Sequence, residues 1–352
     1  MQELLVDGSQ ALQSGNNAAA ENAFRRALAL EPDSIEILND LAIALAHEGK
    51  QSEAISLYER ALRIKPGDQT TTKNLAIAYF RNQQYELAWP LLAQLTVSTP
   101  DFQTLELAGL TLFALDRYRE SAEYLERASR ANPSDLTTLD MLGKAYMRSR
   151  NYSRVTGVFT RIMAVNPNSP AAHVMMGDAY DEMSREDEAR NEYNAAAKLD
   201  PRFPGVQSGL GQIDWKQGKL ELAETEFKAE LANYPSDPVS NCLLGEILLK
   251  QEDASAAAGY FRTAIAANPK YKEAFLGLGR SELALDQPRA AVEFLRSAIA
   301  LDPNYVQAHY TLGTALQKIG QSAEAIKERK LAEAIQAQQR EKYANKLGAE
   351  PR

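Results

Sequence analysis

The side chains of this chain that could act on a substrate are few: three histidines, His47, His173 and His309, one cysteine, Cys242, and two short glycine pairs. Imidazoles ligate metals or move protons, but a metal site needs several His, Cys, Asp or Glu at ligand spacing, and no such cluster occurs around these three. They read as core or half-buried histidines. A nucleophilic cysteine needs a base and an electropositive setting, whereas Cys242 lies in an apolar helical run and reads as a small hydrophobe. The pairs Gly209-Leu210-Gly211 and Gly277-Leu278-Gly279 copy the opening of a phosphate-binding loop. Such a loop follows a strand, and both pairs lie inside helical patterns, so they read as packing glycines. The run Arg185-Glu186-Asp187-Glu188 is a solvated turn and helix surface. The sequence therefore predicts no enzyme, no cofactor and no metal.

Composition narrows the remaining classes. The chain is 45% hydrophobic and 24% charged, which excludes disorder. No apolar run reaches the ~20 residues of a membrane helix, and the opening MQELLVDGSQ lacks the basic and apolar regions of a signal peptide. The expectation is a soluble chain without membrane contact, cytoplasmic by default and extracytoplasmic if a leader has been removed. With 39 basic and 47 acidic residues the net charge is -8, which opposes nucleic-acid binding. One cysteine makes no internal disulfide.

What must position any site is a repeat. Pro32, Pro66, Pro100, Pro133, Pro167, Pro201, Pro235, Pro269 and Pro303 recur every 34 residues, with a single step of 33. Most end an apolar helical run, as in LALEPD, RANPSD and ALDPNY, and proline cannot continue a helix. With the proline as position 32, units begin at 1, 35, 69, 102, 136, 170, 204, 238, 272 and 306. Position 8 is always Gly or Ala, position 20 is nearly always small, and position 24 is mostly aromatic or Leu. Apolar residues at 4, 7, 8 and 11, and again at 20, 24, 27 and 28, follow a helical period with a break at 15 to 17. Each unit is helix A, turn, helix B. Small residues on both helices let them approach closely, and the large residue at 24 fills the space beside them. Ser169 and Asp237 stand as N-caps before Pro170 and Pro238.

Small 8, small 20, aromatic 24, small 27 and proline 32 on a 34-residue period resemble the tetratricopeptide repeat, over residues 1 to about 339. The resemblance implies an all-α fold, a right-handed superhelical solenoid of antiparallel helix pairs, with A helices lining a concave face. It also implies a family that mostly holds peptides and partner proteins. Ten tandem repeats are expected over 1–339, an extended C-terminal capping helix over 321–346 and a frayed tail over 347–352. Stacking favours the same picture, since one helix pair cannot bury its apolar faces alone. The end units are atypical as caps should be: Asp7 takes position 7 of the first, and the last helix is polar. Pro90, beside Trp89 in a B helix next to the 33-residue step, predicts the least regular junction between units 3 and 4.

In the resemblance, positions 2, 5, 6, 9, 12 and 13 of helix A face the concavity. In units 2 to 5 this places Asn39, Ile43, Lys73, Ile77, Phe80, Arg81, Leu110, Phe113, Lys144, Met147 and Arg148 on a candidate peptide-binding face. An apolar strip flanked by cations suits a protein or peptide ligand with apolar anchors and acidic character; the alternative is that Phe80 and Phe113 are core. Asp178, Asp181 and Glu182 interrupt the strip, and Trp215, Lys216, Leu249, Lys250 and Arg280 form a second, weaker patch. The carboxylate clamp of the members that hold chaperone C-termini is not assembled, because Lys73 and Asn74 are followed by Ile77 and Leu107 where it needs Asn. The expected function is a non-enzymatic protein-protein interaction scaffold. The alternative is the substrate- or partner-binding repeat region of a larger enzyme or of a secretion or assembly machine.

Overall fold

The computed structural model describes residues 1–98 and 100–348, the side chains of 343–348 excepted; of the expected tail, 349–352 lie outside the described residues. Every regular element among them is a helix. The A helices are α1 (Gln2–Gln13), α3 (Ile35–His47), α5 (Gln69–Arg81), α7 (Phe102–Ala114), α9 (Leu136–Arg148), α11 (Pro170–Glu182), α13 (Val206–Lys216), α15 (Pro238–Lys250), α17 (Lys272–Ala284) and α19 (Val306–Lys318). The B helices are α2 (Asn17–Leu30), α4 (Gln51–Ile64), α6 (Tyr85–Ser98), α8 (Tyr118–Ala131), α10 (Tyr152–Val165), α12 (Glu186–Leu199), α14 (Leu220–Asn233), α16 (Ala254–Ala267), α18 (Pro288–Leu301) and α20 (Ser322–Gly348). The helices fall into two compact units, the first covering Met1–Ala179 and the second beginning at Tyr180.

Local chemistry sets where each helix stops and starts. The residue before the repeat proline is pushed to extended backbone, as at Asn132 (φ -134°, ψ 87°) and Asp302 (φ -143°, ψ 96°), so the B helix ends there. The next A helix opens on a side-chain cap: Asp68, Asp101, Asp135 and Asp237 each accept an amide proton from the residue three further on. Ser169 caps the helix that opens at Pro170 in the same way, accepting from Ala172 at 3.2 Å. Between A and B, position 15 is left-handed in all ten copies. Gly15, Gly49, Gly218 and Gly320 supply it without strain, whereas Gln83, Asp116, Arg150, Ser184, Glu252 and Asp286 adopt it with side chains.

In the first unit α1 to α10 pack on their sequence neighbours, as α12 to α20 do in the second, and successive A helices touch one another as well: α1, α3, α5, α7 and α9 in the first unit, α13, α15, α17 and α19 in the second. The core of the first unit gathers Phe24, Ile37, Leu41, Leu45, Tyr58, Leu75 and Leu92, and the second buries Phe227, Leu244, Phe261, Leu278, Leu295 and Leu312. Each large side chain taken from water contributes roughly 1.5–3 kcal/mol. The role of the small residues is plainest at Phe261. A Cβ on Gly245 would stand 2.9 Å from this ring and one on Gly277 only 2.2 Å, so the phenyl group is held between two A helices that must both be glycine there. Gly209 meets Tyr193 similarly at 2.3 Å, which accounts for the glycine pairs as packing devices.

The fifth repeat departs from this pattern. Where other repeats hold Ala or Ser at position 20 it has Val155, branched and fully buried. Val158 is buried there at 2% exposure, and Phe159 is only half-buried, its ring edge-on to His173 at 5.4 Å. The space over Gly143 is filled instead by Met175. Pro90 lies exposed inside α6, while its neighbour Trp89 packs edge-on to Tyr124 at 5.6 Å, beneath the Arg117 guanidinium at 4.9 Å. At the other end α20 reaches Gly348, two residues past the expected limit of the capping helix.

Candidate functional site

Four consecutive A helices of the first unit, α3, α5, α7 and α9, present the residues at positions 9 and 12 on one face. Ile43, Ile77 and Leu110 at position 9, with Phe80, Phe113 and Met147 at position 12, are all half-buried, neither sealed in the core nor free in solvent. Phe80 rests edge-on against Tyr85 at 5.5 Å, and Phe113 against Tyr118 at 5.1 Å. Each pair ties the end of an A helix to the start of its B helix. Between α3 and α5 the face deepens into a cavity of about 240 Å3, lined by Ile43, Ile77, Arg81, Asn74, Tyr58 and His47 among others. Gln51 also lines it, and its buried Oε1 has no hydrogen-bond partner. Tyr58 and Gln51 come from a B helix, outside the A-helix positions on which the sequence reading drew, so neither was legible there.

The remaining candidates divide by their partners. Asn39 is 7% exposed and serves the stack itself, donating to Ile35 O at 2.9 Å and Thr71 Oγ1 at 2.7 Å. Lys73 pairs with Asp101 at 2.8 Å and Lys144 with Asp140 at 2.7 Å, so two of the four flanking cations are neutralised within the chain. Arg81 lines the cavity, while Arg148 lines a separate depression with Arg117 and Tyr118. Nearby Asp40, half-buried, has its carboxyl pushed up, first by burial and then by Glu36. Burial also pushes up the Tyr58 phenol, against the pull of Arg81.

In the second unit Trp215 and Leu249 are half-buried and Lys250 stands 5.7 Å from the Trp215 ring. Lys216 pairs with Asp181 at 2.7 Å, and Arg280 with Glu246 at 2.7 Å. This patch offers one indole face and a single cation held on it by a cation–π contact.

The residues first suspected of chemistry are placed apart. His47 is exposed at the cavity edge, His173 packs on Phe159, and His309 is 2% exposed between Glu328 (Nδ1, 2.6 Å) and Pro303 O (Nε2, 3.0 Å). Cys242 is 2% exposed, and burial pushes its thiol up to about 12, which keeps it protonated and unreactive at neutral pH. Among the described residues no three His, Cys, Asp or Glu side chains come together to hold a metal. Nor is any helix among them long and apolar enough to cross a membrane.

A family model described as the tetratricopeptide repeat matches residues 7–69, 174–238 and 242–306, and a second model of that description matches 294–327. A model of the anaphase-promoting complex, cyclosome, subunit 3 matches residues 47–128. No curated protein matches the chain. Among solved structures, a tetratricopeptide repeat protein from Parabacteroides merdae is similar over 70% of this chain and 98% of its own, at 18% identity and a TM-score of 0.61. A chain of the Cut9–Hcn1 hetero-tetramer of the anaphase-promoting complex is similar over 95% of this chain and 93% of its own, at 13% identity and a TM-score of 0.53. At these identities the likeness is one of fold.

Proposed function

The chain belongs to the tetratricopeptide repeat family, a family of generally non-catalytic interaction scaffolds, and on that premise we propose that it is a non-enzymatic scaffold whose N-terminal unit binds an extended segment of a partner protein along the A-helix face. One observation supports this reading above the others: six apolar side chains from four adjacent A helices stay half-exposed in a row beside a cavity. Apolar surface left open in a continuous strip is stabilised when a partner covers it. The bound segment offers apolar side chains to Ile43, Ile77 and Leu110 and an acidic group to Arg81. Since Lys73 and Lys144 already hold carboxylates, apolar anchoring dominates and charge is secondary.

The test is selection from a random peptide library displayed on phage, using the wild-type chain and an Ile77→Asp/Leu110→Asp variant. Wild type should enrich peptides with spaced apolar residues. The variant should lose them while keeping its helical circular dichroism. Enrichment that survives both aspartates would place the ligand elsewhere.

The match of residues 47–128 to a subunit of a large assembly favours a second reading, in which the same face anchors this chain in a multi-protein machine. Its partner would then co-purify at fixed stoichiometry instead of exchanging.

A further inference from the structure

In the first unit, α8, the end of α9 and the start of α10 enclose a cleft of about 650 Å3. Five arginines line it: Arg119, Arg127 and Arg130 from α8, Arg150 from the turn and Arg154 from α10. Only two carboxylates, Glu123 and Glu126, stand among them. Glu126 is already shared, with the Tyr146 hydroxyl at 3.3 Å and with Arg130 and Arg161 at 3.5 Å each. Arg127 donates to Thr96 O and lies over the Tyr124 ring, and Arg154 lies over Tyr146 at 5.9 Å. The guanidinium groups of Arg119 and Arg150 have neither a hydrogen bond nor a carboxylate within 4.0 Å among the described residues. They also line an adjoining depression of about 380 Å3, where Arg148 joins them beside Asp116 and Glu120, the latter already held by Arg117 at 2.6 Å.

Several cations elsewhere on the chain are tied up by carboxylates, as Lys73, Lys144, Lys216 and Arg280 are. Residues 117–161 carry nine Arg and Lys against five Asp and Glu, leaving 30 basic and 42 acidic residues for the rest of an acidic chain. A local excess of guanidinium over carboxylate groups, with the Arg119 and Arg150 side chains unpaired, is therefore built into a protein whose remaining charge repels anions.

We propose that this cleft binds a phosphorylated segment of a partner protein. The guanidinium fork matches two oxygens of one phosphoryl group, and the lining cations are all arginine, with no lysine among them. A long polyanion would meet the acidic remainder of the chain beyond the cleft, whereas a short, dense dianion meets a lining in which five arginines stand against two carboxylates. The cleft shares none of its lining with the cavity on the A-helix face, so the two sites stand or fall separately.

Fluorescence anisotropy on the full chain tests this with a labelled glycine-rich peptide carrying two phosphoserines. The same peptide with serine or glutamate, a short oligo-dT, and phosphatidylcholine vesicles containing phosphatidylserine serve as comparison probes. The phosphoserine peptide should bind at least about tenfold tighter than the serine and glutamate forms. Arg119→Gln/Arg150→Gln should weaken it about tenfold without moving the melting curve. Glutamine suits that turn, because Gln83 holds the same backbone position with the same φ of 58° as Arg150. Arg119→Lys/Arg150→Lys keeps the charge but loses the fork, and should fall between the two. Arg185→Gln, in the second unit, should change nothing. Equal binding of the serine or glutamate form, indifference to the double glutamine variant, or tighter binding of oligo-dT or vesicles would each overturn the assignment.

Discussion

Arg262 Nη2 donates to Glu282 Oε1 at 2.6 Å across the junction between two successive repeats. The same step of 20 residues, from position 25 of one repeat to position 11 of the next, joins Glu59 to Tyr79 at 2.7 Å and Glu126 to Tyr146 at 3.3 Å. The carboxylate lies on the B helix in two of these links and on the A helix in the third. Glu282 is 2% exposed, whereas the Arg262 side chain is 57% exposed. Arg262→Ala should therefore leave a buried carboxylate without its partner and cost about 2 kcal/mol. Adding Glu282→Leu to that variant should recover part of the loss, because the orphaned charge is gone. Urea unfolding of the two variants checks this, and a double variant less stable than the single would refute the link.

The left-handed turn at position 15 gives a prediction of opposite sign. Gln83 and Glu252 hold φ of 58° and 65°, where an L side chain crowds its own backbone by roughly 1–2 kcal/mol. Glycine is relieved of that crowding but gains freedom in the unfolded chain. Gln83→Gly, at an exposed position, should stabilise the first unit by about 0.5–1 kcal/mol. An unchanged or lowered melting temperature would mean that the turn is not strained.

These turns mark where sequence reading stops. Proline at 32, small residues at 8 and 20 and the large residue at 24 write the helix pairs into the chain, because each acts through neighbours on its own helix or the next. The backbone conformation of Arg150 is hidden, since an arginine does not announce a positive φ as glycine does. The candidate strip was legible as far as helical period and family likeness reach. That Lys73 is occupied by Asp101 and Lys144 by Asp140 was not, because such pairings depend on how the side chains settle. The arginine cleft escaped for the same reason: its residues come from two helices and a turn, and only packing shows which of them lack carboxylates.

Asp68 links helix capping to pH. It accepts the Thr71 amide at 3.1 Å and pairs with Lys65 at 2.9 Å. Lys65 first, and then Thr71, hold its carboxyl down at about 2, below the 3.8 of an unperturbed aspartate. A carboxyl depressed on folding contributes stability that is present above pH 3.8 and lost as pH falls towards 2. Asp68→Ala should cost about 1 kcal/mol at neutral pH. Asp68→Asn keeps a capping oxygen, so it should retain most of the neutral stability and lose part of the fall between pH 4 and pH 2. Urea midpoints at the two ends of that window decide it.

Phe80 and Phe113 separate binding from packing. Both rings are half-buried and each is edge-on to a tyrosine of its own repeat. Truncating such a ring should cost about 1–2 kcal/mol, from partial burial and the lost ring pair. A core ring such as Phe24, fully buried at 0% exposure, should cost about 3–5 kcal/mol. If the A-helix face is the binding surface, each phenylalanine is also an aromatic anchor worth on the order of 2 kcal/mol to the complex, or roughly a thousandfold for the pair if they add. Phe80→Ala/Phe113→Ala should thus lose nearly all affinity for a library-selected peptide, while each of the two single variants melts closer to wild type than Phe24→Ala does. Phe24→Ala should show the reverse, a large fall in melting temperature with affinity retained below it. A single variant that melts as early as the core variant makes its ring structural, and a double variant that still binds moves the ligand off this face.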